Sequence, residues 1–513
     1  MLLPVWGYVL LSGSQAATLR AAVMLTVILL GKILLRKDVA LVSLLFAALL
    51  ICLFSPFAFL SLSFQLSFAA MFALIWLHPI FWEKFLLIFP KADEPTLWQK
   101  IGFALAEIVS ATLATTLLTL PIQAYSFYQV SFFGILINLV AVPFAGFVHT
   151  PLVMLAILLE IFHLPAQFIW HLALLATKAI AHTAYFSFPL AEKMSLHVAP
   201  QAWQVAVFFL MILVWVYLPK KKYLLIAPSI FILLSWYWPT NLFHPKRFDL
   251  HILDIGQGDS MIAQFPDGAV WLIDGGGNVG SSFDVGRQLA APQLWRLGIH
   301  RVEKLVISHP HMDHYAGFFF LSKEFQPQEV WIPPYDVEHQ GELWKKFLQQ
   351  LAELNIPLRI MTREQGCSMF HQVNVCVKNP SGSANVRNIN DSSLVLSMHH
   401  GENDFLLTGD IEKPAEQEML RDGLKAVEVL KVPHHGSRTS SSEKFLQALQ
   451  PQFAVVSVGE KNFYRLPNQE TLDRLQLLNT KTFRTDQDGM ISFESDGAKL
   501  IARHYFPKRQ ISN

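Results

Sequence analysis

The order of apolar and polar positions divides the chain into two unlike parts. Residues 1–238 are mostly apolar, and their few charged residues cluster between long apolar runs. A helix needs about 20 apolar residues to cross a bilayer, so these runs predict a polytopic α-helical membrane domain with about eight spans. The predicted spans are 16–35, 39–55, 58–81, 101–126, 130–158, 165–187, 203–218 and 223–238, with a partial span at 2–13.

Polar side chains inside these runs are candidates for a transport pathway. Glu107 is the strongest candidate, because a carboxylate within a span is costly unless it has a partner or a role. Gln65 and Asn138 are weaker candidates of the same kind. For each of them the alternative is a hydrogen bond between helices. Proline and glycine recur beside the runs, and such breaks favour a transport bundle over a simple anchor.

Basic residues between the runs predict the orientation of the membrane part. Lysine and arginine are concentrated in cytoplasmic loops. With the spans counted as above, three basic clusters fall on one side of the membrane: Lys32 with Arg36 and Lys37, Lys84 with Lys91 and Lys100, and Lys220–Lys222. The last span then leaves the cytoplasm. Residues after 239 are therefore expected outside the cell inner membrane, in the periplasm or at the cell exterior.

Residues 249–513 follow a polar linker at 239–248. Their apolar residues recur with the two-residue period of strands in some segments and with the 3.6-residue period of amphipathic helices in others. The pattern predicts an α/β domain, an αββα sandwich. Predicted strands are 249–253, 260–265, 269–273, 304–307, 329–332, 358–361, 373–377, 393–398, 404–407, 427–431 and 454–458. Predicted helices are 287–297, 343–354, 414–421, 442–449 and 469–478. This part has slightly more acidic than basic residues, so its net charge does not indicate a nucleic-acid-binding surface.

The hexapeptide His309-Pro-His311-Met-Asp313-His314 carries the strongest chemical signal. It follows the apolar run 304–308, so its side chains come directly after a strand. Two imidazoles at i and i+2, then a carboxylate and a third imidazole, can hold two divalent ions about 3.5–4 Å apart. We expect His309 and His311 to bind one ion, and Asp313 and His314 to bind the other. A polar loop of solvated histidines is the alternative.

Other loops that follow predicted strands supply further candidate residues. Asp410 can bridge two ions through separate oxygens, and His434 or His435 can contact a phosphate or act as a further ligand. The predicted catalytic residues are Asp313, His434 and His435. Supporting roles, in fixing loops and orienting imidazoles, are expected for Asp254, Asp274, Asn390 and Ser437. Mixed nitrogen and oxygen ligands suit Zn²⁺ and Mn²⁺ about equally, with one or two ions bound.

Five motifs occur in the order found in metallo-β-lactamase-fold hydrolases. They are Asp254-x-Gly-Gln-Gly-Asp259, Ile273-Asp-Gly275, the hexapeptide, Thr408-Gly-Asp410 and Val432-Pro-His-His-Gly-Ser437. With Phe64-Gln-Leu-Ser-Phe68 and the segment 138–143, they make the chain resemble the ComEC family of DNA-internalisation proteins. The resemblance implies a channel that imports single-stranded DNA, with an exoplasmic nuclease domain that degrades the other strand. It implies as partners DNA, the lipid bilayer, and the DNA-receptor and motor proteins of the competence machinery.

The chain departs from the family pattern at three places. Asn388, Asn390 and Asp391 stand where fully dinuclear relatives have a third-motif histidine, and Leu466 stands where many have the histidine of Gly-His-Pro. One ion site is therefore expected to lack a ligand. The family also has an N-terminal soluble domain and earlier spans, so this chain is expected to start late.

Two other functions stay open at this point. One is a DNA transport subunit whose hydrolase domain is inactive. The other is a membrane-tethered hydrolase of another phosphodiester, such as a lipid or teichoic-acid headgroup, because a metal site recognises phosphate mainly through charge.

Cysteine content excludes a disulfide scaffold, since the chain has 3 cysteines. Cys52 is expected to pack within a membrane run. Cys367 and Cys376 flank a predicted hairpin at 368–375. We expect these two to be free thiols, which are commoner in buried positions. A disulfide is the alternative if the domain faces an oxidising compartment.

Overall fold

The computed structural model describes residues 2–13, 16–33, 39–89, 96–217, 223–236, 246–277, 283–334, 341–382 and 388–505. Contacts divide the chain into two compact units, Met1–Trp238 and Pro239–Asn513. Several residues used in the sequence analysis lie outside the described ones: Arg36, Lys37, Lys91, Lys220–Lys222 and residues 239–245 of the predicted linker.

The first unit is helical. Its helices are Leu2–Leu11, Ala16–Ile33, Val39–Phe54, Leu62–Phe72, His78–Ile88, Leu97–Phe127, Phe133–Phe144, Thr150–Ile161, Gln167–Lys193, Ala202–Tyr217 and Tyr223–Trp236. Single π-helical segments at Ala73–Leu77 and Ala145–His149 join two pairs of them into longer helices, and Pro56–Leu60 is a 3-10 turn. A short antiparallel ribbon pairs Gln129–Ser131 with Ser195–His197.

Three helices, Leu62–Ile88, Leu97–Phe127 and Phe133–Ile161, are long and apolar enough to cross a membrane. The second of them begins with a capping box, in which the side chains of Thr96 and Gln99 each accept from the other's backbone N–H. Fully buried alanines lie within the unit, and small side chains let helices approach closely where lipid gives no hydrophobic driving force. The number of spans, about eight, stays a prediction.

Two sheets form the second unit. The first has the strand order Leu500–Tyr505, Met490–Ser495, Phe248–Ile252, Ser260–Gln264, Val270–Gly275, Lys304–Val306, Glu329–Ile332 and Leu358–Ile360. The second has the order Lys481–Arg484, Phe453–Val456, Val429–Lys431, Asn403–Leu407, Val395–His400, Val373–Asn379 and Cys367–Phe370. The last four strands of the first order are mutually parallel, and so are the first four of the second order.

An apolar core lies between the two sheets. Both sheets contribute alternate side chains to it, and Phe248, Trp271, Leu396, Phe405 and Phe493 are among those that are fully buried. The rings of Phe248 and Phe405 meet between the sheets with their centroids 5.1 Å apart in an edge-on arrangement, which aromatic pairs favour. Burial of this apolar surface stabilises the unit by about 25 cal/mol per Å² removed from water.

Helices cover the outer faces of both sheets, which confirms the predicted αββα sandwich. Beside the first sheet are Gly286–Ala290, which is π-helical, and Ala291–Arg296, Met312–Tyr315, Phe318–Phe325 and Glu342–Glu353. Against the second sheet are Lys413–Arg421, Glu443–Leu449 and Gln469–Leu477, whose apolar side chains form a separate buried layer with that sheet. Short helical turns complete the unit at Arg363–Gln365, Asn390–Ser392, Pro433–Gly436 and Thr485–Asp488.

The predicted strands and helices of this unit occur close to their predicted bounds. Elements that the sequence pattern did not reveal are the helix Phe318–Phe325 and the strands Lys481–Arg484, Met490–Ser495 and Leu500–Tyr505. Met490–Ser495 pairs antiparallel with Phe248–Ile252, almost the whole domain earlier in the chain. Its stability as a strand depends on that distant partner, which local periodicity does not show.

The expectation of free thiols at Cys367 and Cys376 is wrong. The predicted hairpin forms from strands Cys367–Phe370 and Val373–Asn379, and the two cysteines are directly opposite in its register. They are joined in a disulfide. Cross-strand neighbours have their Cβ atoms close together, so the register of the hairpin makes the bond geometrically accessible.

We expect Phe405→Ala to destabilise the second unit by about 3–5 kcal/mol, because the substitution leaves a cavity between the two sheets. Thermal unfolding followed by near-ultraviolet circular dichroism would measure the change. Leu477→Ala is the matched control, since that leucine is 82% exposed and its truncation should cost less than about 0.5 kcal/mol. Equal losses for the two variants would contradict a core role for Phe405.

Candidate metal centre

The predicted site residues meet where parallel strands of both sheets end. Asp274 lies at the end of one strand of the first sheet, and the hexapeptide His309–His314 follows the next strand in that sheet. Asp410 and His435 follow two neighbouring parallel strands of the second sheet. The carboxyl ends of neighbouring parallel strands lie at one edge of a sheet, where ligand sites commonly form. The topology thus gathers residues that are far apart in sequence.

Four side chains converge donor atoms at this edge. Oδ2 of Asp410 lies 3.3 Å from Nε2 of His314 and 3.4 Å from Nε2 of His435. Oδ2 of Asp313 lies 3.6 Å from Nε2 of His435 and 4.0 Å from Nε2 of His314. Donors of a tetrahedral zinc site with bonds of about 2.0–2.1 Å are separated by about 3.3–3.4 Å. The spacing therefore fits one divalent ion, with His435 completing the set that the sequence assigned to Asp313 and His314.

Buried polar atoms of the same cluster lack hydrogen bonds. Nε2 of His314, Nε2 of His435 and Oδ1 of Asp410 are buried and have no hydrogen-bond partner among the residues that the structure describes. Opposite charges lie 3.3–3.6 Å from them without hydrogen-bonding geometry, and a hydrogen bond left unmade by a buried group is costly. A cation bound among them would relieve that cost, and imidazole with carboxylate is a donor set that suits a divalent transition metal. The residues present therefore fit the metal that the sequence predicts.

His309 and His311 form a second, less complete set. Nε2 of His309 lies 3.0 Å from Nδ1 of His311. His309 can also offer a donor atom within 4.8 Å of donors from His314 and Asp410. The structure therefore brings all four hexapeptide residues to the strand-end cluster, as the spacing predicts.

Asn390 is one of the residues that stand where fully dinuclear relatives have a histidine. It lies in the turn Asn390–Ser392 and lines the same cavity as His311 and Asp410. Its Oδ1 is buried and, within the described part of the chain, has no hydrogen-bond partner. The ligand available to complete the His309 and His311 set is thus a neutral amide oxygen, a weaker donor than imidazole for a transition metal.

Asp274 holds the hexapeptide in position. Its Oδ1 accepts from the backbone N–H of Ser308 and its Oδ2 from the hydroxyl of Ser308, both at 2.7 Å. Oδ2 also lies 2.9 Å from Nδ1 of His314, so the other nitrogen of that ring is directed at the donor cluster. A carboxylate that fixes the ring of a ligating histidine is a common partner in metal sites. Asp274 itself has a φ of 56°, an uncommon conformation for a residue with a side chain.

The loop 254–259 holds the hexapeptide from the other direction. The backbone N–H of Asp259 donates to the carbonyl of Asp313 at 3.2 Å. Gly258 has a φ of 116°, and a Cβ there would lie 2.3 Å from that same carbonyl oxygen, so only glycine fits. Asp254 accepts from the backbone N–H of Gly256 at 3.4 Å and so shapes the loop. Among the described residues, it takes no part in the donor cluster.

A buried ion pair beside the donor cluster was not predicted. Lys431 and Asp259 are fully buried, and Nζ of Lys431 pairs with the Asp259 carboxylate. The same Nζ lies 3.6 Å from Oδ1 of Asp410 and donates to the carbonyl of Gly409 at 3.1 Å. Lysine is almost never fully buried unless it is paired. A lysine at the end of an apolar strand, just before two histidines, is the sequence signal that could have revealed it.

Opposite charges set the protonation of the cluster. Burial alone would raise the pKa of Asp410, but the neighbouring His435 and His314 outweigh it and hold that pKa well below its usual range. Burial opposes charge on the imidazoles as well, yet the charge of Asp410 raises the pKa of His435 to about 10 and that of His314 well above its usual value. Burial, with the charge of His314, holds the pKa of His309 well below its usual value.

The side chains of the adjacent residues His434 and His435 lie in different surroundings. Both have positive φ values, 50° and 51°, a strained conformation that is common at functional sites. His435 joins the donor cluster, whereas His434 lines the cavity and places Nδ1 3.2 Å from Oε1 of Glu412. Glu412, which the sequence analysis did not select, also accepts from the amide of Asn390 at 3.4 Å. Ser437 bonds a neighbouring threonine hydroxyl at 3.0 Å and does not line the cavity described here.

The donor cluster opens into a cavity of about 660 Å³, a size typical of small-ligand sites. The side chain of Asp313 is 25% exposed, whereas those of His314 and Asp410 are almost fully buried. Asp313 is therefore the carboxylate of the cluster that is more accessible from the cavity. Among the lining residues are Gln257, His311, Asp313, Trp344, Asn390, Asp410, His434, His435, Tyr464 and Leu466.

The predicted pathway residues lie on three helices of the first unit. Gln65 is half-buried on Leu62–Phe72 and donates from Nε2 to the carbonyl of Phe59 at 3.2 Å. Glu107 is exposed on its helix, and Asn138 is half-buried on the helix that follows. Their role in transport stays a prediction.

Known families match both units of the chain. Residues 1–222 match the family described as Competence protein, and residues 253–460 match the Metallo-beta-lactamase superfamily. ComE operon protein 3 of Bacillus subtilis (strain 168) is 29% identical over 513 residues, covering 95% of this chain and 62% of that protein. The chain thus joins a region similar to competence proteins to a metallo-β-lactamase-superfamily region.

A second relative matches over a similar range. Recombination protein 2 of Haemophilus influenzae is 26% identical over 523 residues, covering 94% of this chain and 61% of that protein. The chain thus spans about three fifths of the length of these two relatives. A solved metallo-β-lactamase of Cronobacter sakazakii is 13% identical, with a TM-score of 0.24 over 35% of this chain and 70% of that one. The metallo-β-lactamase fold of the second unit implies that it binds a divalent metal.

Metal binding at pH 7 should release about two protons, because metal ligands must be deprotonated. Without metal, the raised pKa values keep His314 and His435 protonated, so affinity should rise with pH. Calorimetric titration with Zn²⁺ in buffers of different ionisation enthalpy measures the release. His435→Ala should release about one proton fewer, whereas His309→Ala should release as many as the parent, because its lowered pKa leaves it neutral. Affinity that does not change with pH would contradict this account.

Asp274→Asn should weaken metal binding by about 10- to 100-fold, because it removes the carboxylate that orients His314 and the hexapeptide. Competition with a chromophoric chelator measures the affinity. Asp254→Asn is the matched control: it makes the same chemical change on a loop carboxylate outside the donor cluster and should leave the affinity unchanged. If both variants bind metal as tightly as the parent, Asp274 has no orienting role.

Proposed function

We propose that this protein, like the competence proteins that it resembles, acts in DNA uptake during natural transformation. It would import single-stranded DNA through the cell membrane, and its second unit would degrade the other strand as a metal-dependent nuclease. The observation that carries the nuclease proposal is the convergence of Asp313, His314, Asp410 and His435 beside an open cavity. Similarity to competence proteins along nearly the whole chain supports the role in uptake.

Two sets of ligands are proposed for a divalent metal, either Zn²⁺ or Mn²⁺. Asp313, His314, Asp410 and His435 would hold one ion, with the donor spacing as support. His309 and His311 would hold a second ion less tightly, because Asn390 stands in place of an imidazole. When bound, such an ion lowers the pKa of a water molecule to about 7 and neutralises charge on an attacked phosphate.

Protein groups would position the substrate and take up the proton of the attacking water. Asp313, whose side chain is 25% exposed, is more accessible than Asp410 and would accept that proton. His434 lies on the cavity wall and would contact the phosphate, with its ring oriented by Glu412. Asp274 would keep the ring of His314 in its ligating orientation.

The second unit is proposed to lie outside the cytoplasmic membrane, with the first unit embedded in the lipid bilayer. The disulfide between Cys367 and Cys376 supports this location, because disulfides persist in oxidising compartments and are rare in the cytosol. The basic residues between the apolar runs point the same way. Double-stranded DNA would be the substrate, and receptor and motor proteins of the competence machinery would be the partners.

Asp313→Ala should lower metal-dependent DNA cleavage by about 100-fold or more, because the variant loses both a ligand and the proposed general base. The assay uses the full chain in detergent, labelled duplex DNA, and Mn²⁺ or Zn²⁺. Asp473→Ala, which removes an exposed carboxylate on the helix Gln469–Leu477, is the control and should cleave normally. Membrane insertion should be the same for both variants.

The outcomes of this assay separate the competing functions. If Asp313→Ala still cleaves DNA like the parent, the assignment of this cluster as the active site is wrong. A parent protein that binds metal yet cleaves no phosphodiester would indicate a transport subunit with an inactive hydrolase domain. A parent protein that hydrolyses glycerophosphodiesters but not DNA would indicate a membrane-tethered hydrolase of another substrate.

A further inference from the structure

The segment 459–467 carries the two most exposed aromatic side chains in the described part of the second unit. Phe463 is 94% exposed and Tyr464 is 63% exposed. The next aromatic side chains of that unit, Tyr505 and Phe283, are 41% and 40% exposed. A ring at 94% exposure makes almost no packing contribution to the fold. Its presence points instead to a contact with another molecule.

The backbone of this segment is held in place rather than free. The side chain of Asn462 donates to the carbonyls of Gly459 and Leu466, at 3.0 and 2.7 Å, and accepts from the N–H of Leu466 at 2.9 Å. The N–H of Gly459 donates to the side chain of Gln257 at 3.3 Å. Gln257 belongs to the loop 254–259 that holds the hexapeptide. The aromatic pair is therefore presented from a support shared with the candidate metal centre.

The position of the pair relates it to the cavity. Tyr464 lines the cavity together with Asp313, Asp410 and His435. The Phe463 ring is next to it, with centroids 5.9 Å apart and planes at 84°. Exposed basic side chains, Lys461 and Arg465, stand on both sides of the pair in sequence, and Glu460 is the acidic neighbour. Aromatic rings flanked by basic residues are the composition of surfaces that bind single-stranded nucleic acid.

We propose that Phe463 and Tyr464 form a stacking platform for unpaired bases of a DNA strand whose phosphate lies at the metal centre. The proposal rests on the proposed nuclease function and places cleavage of the double-stranded substrate where its strands have separated. A base within a duplex has both faces covered by its neighbours, whereas an unpaired base can stack on an aromatic ring whatever its identity. Lys461 and Arg465 would meet adjacent phosphates.

A lipid surface is the other occupant to be considered, since aromatic and basic residues together also suit a membrane interface. The observation that favours DNA is the place of Tyr464 on the wall of the cavity that contains the metal ligands. A segment inserted into lipid would need both rings directed away from that cavity. The platform is therefore assigned to the substrate of the site.

The first test measures binding by the full chain in detergent, with Ca²⁺ present to prevent turnover. Its probes are a labelled oligothymidylate and an abasic oligonucleotide of the same length and charge. The double variant Phe463→Ala/Tyr464→Ala should bind oligothymidylate about 5- to 150-fold more weakly per stacked base. Its affinity for the abasic strand should not change. Equal losses on both strands, or no loss, would overturn the proposal.

Two further variants control for the aromatic character of the contact. Tyr464→Phe keeps the ring and should bind oligothymidylate like the parent. Tyr505→Ala removes the next most exposed aromatic side chain, which does not line the cavity, and should also bind like the parent. Weaker binding in either variant would count against base stacking at the platform.

The second test separates the platform from the nuclease function on which it rests. The abasic oligonucleotide is a phosphodiester that carries no base and no other aromatic ring. With Mn²⁺, the double variant should hydrolyse it like the parent while losing cleavage of oligothymidylate through a raised KM. If the unsubstituted protein hydrolyses neither compound, the nuclease function is refuted. The binding test would then still decide whether Phe463 and Tyr464 stack on bases. A double variant that cleaves oligothymidylate like the parent would overturn the platform alone.

A third measurement addresses the lipid alternative. Hydrogen exchange of residues 459–467 should slow when oligothymidylate is added to the full chain in proteoliposomes. It should be the same in proteoliposomes and in detergent when no oligonucleotide is present. Protection by the bilayer alone would assign the aromatic pair to the membrane surface and overturn the proposal.

Discussion

The structure of the second unit depends on buried carboxylates whose negative charge is balanced by nearby cationic side chains. They lie at the edge where strands from both sheets end. Asp259, Asp274 and Asp410 have at most 3% of their surface exposed, and an isolated carboxylate in such a place is very unfavourable. Lys431 pairs with Asp259, and the histidines at 314 and 435 balance Asp410. The same charges that would otherwise oppose folding create a site that attracts a divalent cation. Stability and metal affinity are therefore properties of one network.

Two loops from the first sheet constrain the geometry of that network. Asp274 bonds the start of the hexapeptide, while Gly258 and Asp259 lie against the carbonyl of Asp313. The His314 ring thus approaches Asp410 from a backbone that is held on both sides. This arrangement is the reason to expect that Asp274, a carboxylate outside the donor cluster, affects metal affinity. A ligand that is already oriented loses little entropy when the ion binds.

The two departures at expected ligand positions, Asn390 and Leu466, both line the cavity. Asn390 replaces an imidazole near His309 and His311, while Asp313, His314, Asp410 and His435 keep a complete set of four donors. Leu466, the other departure, lies in the segment that presents Phe463 and Tyr464. Both positions thus lack an imidazole on the cavity wall, and Tyr464 lines the same cavity.

Much of the molecule follows from local pattern alone. The apolar runs, the αββα order and the candidate ligands His309, His311, Asp313 and His314 are all visible in the sequence, because backbone period and residue spacing are local properties. The tertiary structure was needed for the pairing of Met490–Ser495 with Phe248–Ile252, for the Lys431–Asp259 ion pair and for the choice of His435 over His434 in the donor set. Those features depend on which distant segments become neighbours. Side chains that are far apart in sequence form ion pairs and shift each other's pKa values only when folding brings them together and removes the water between them.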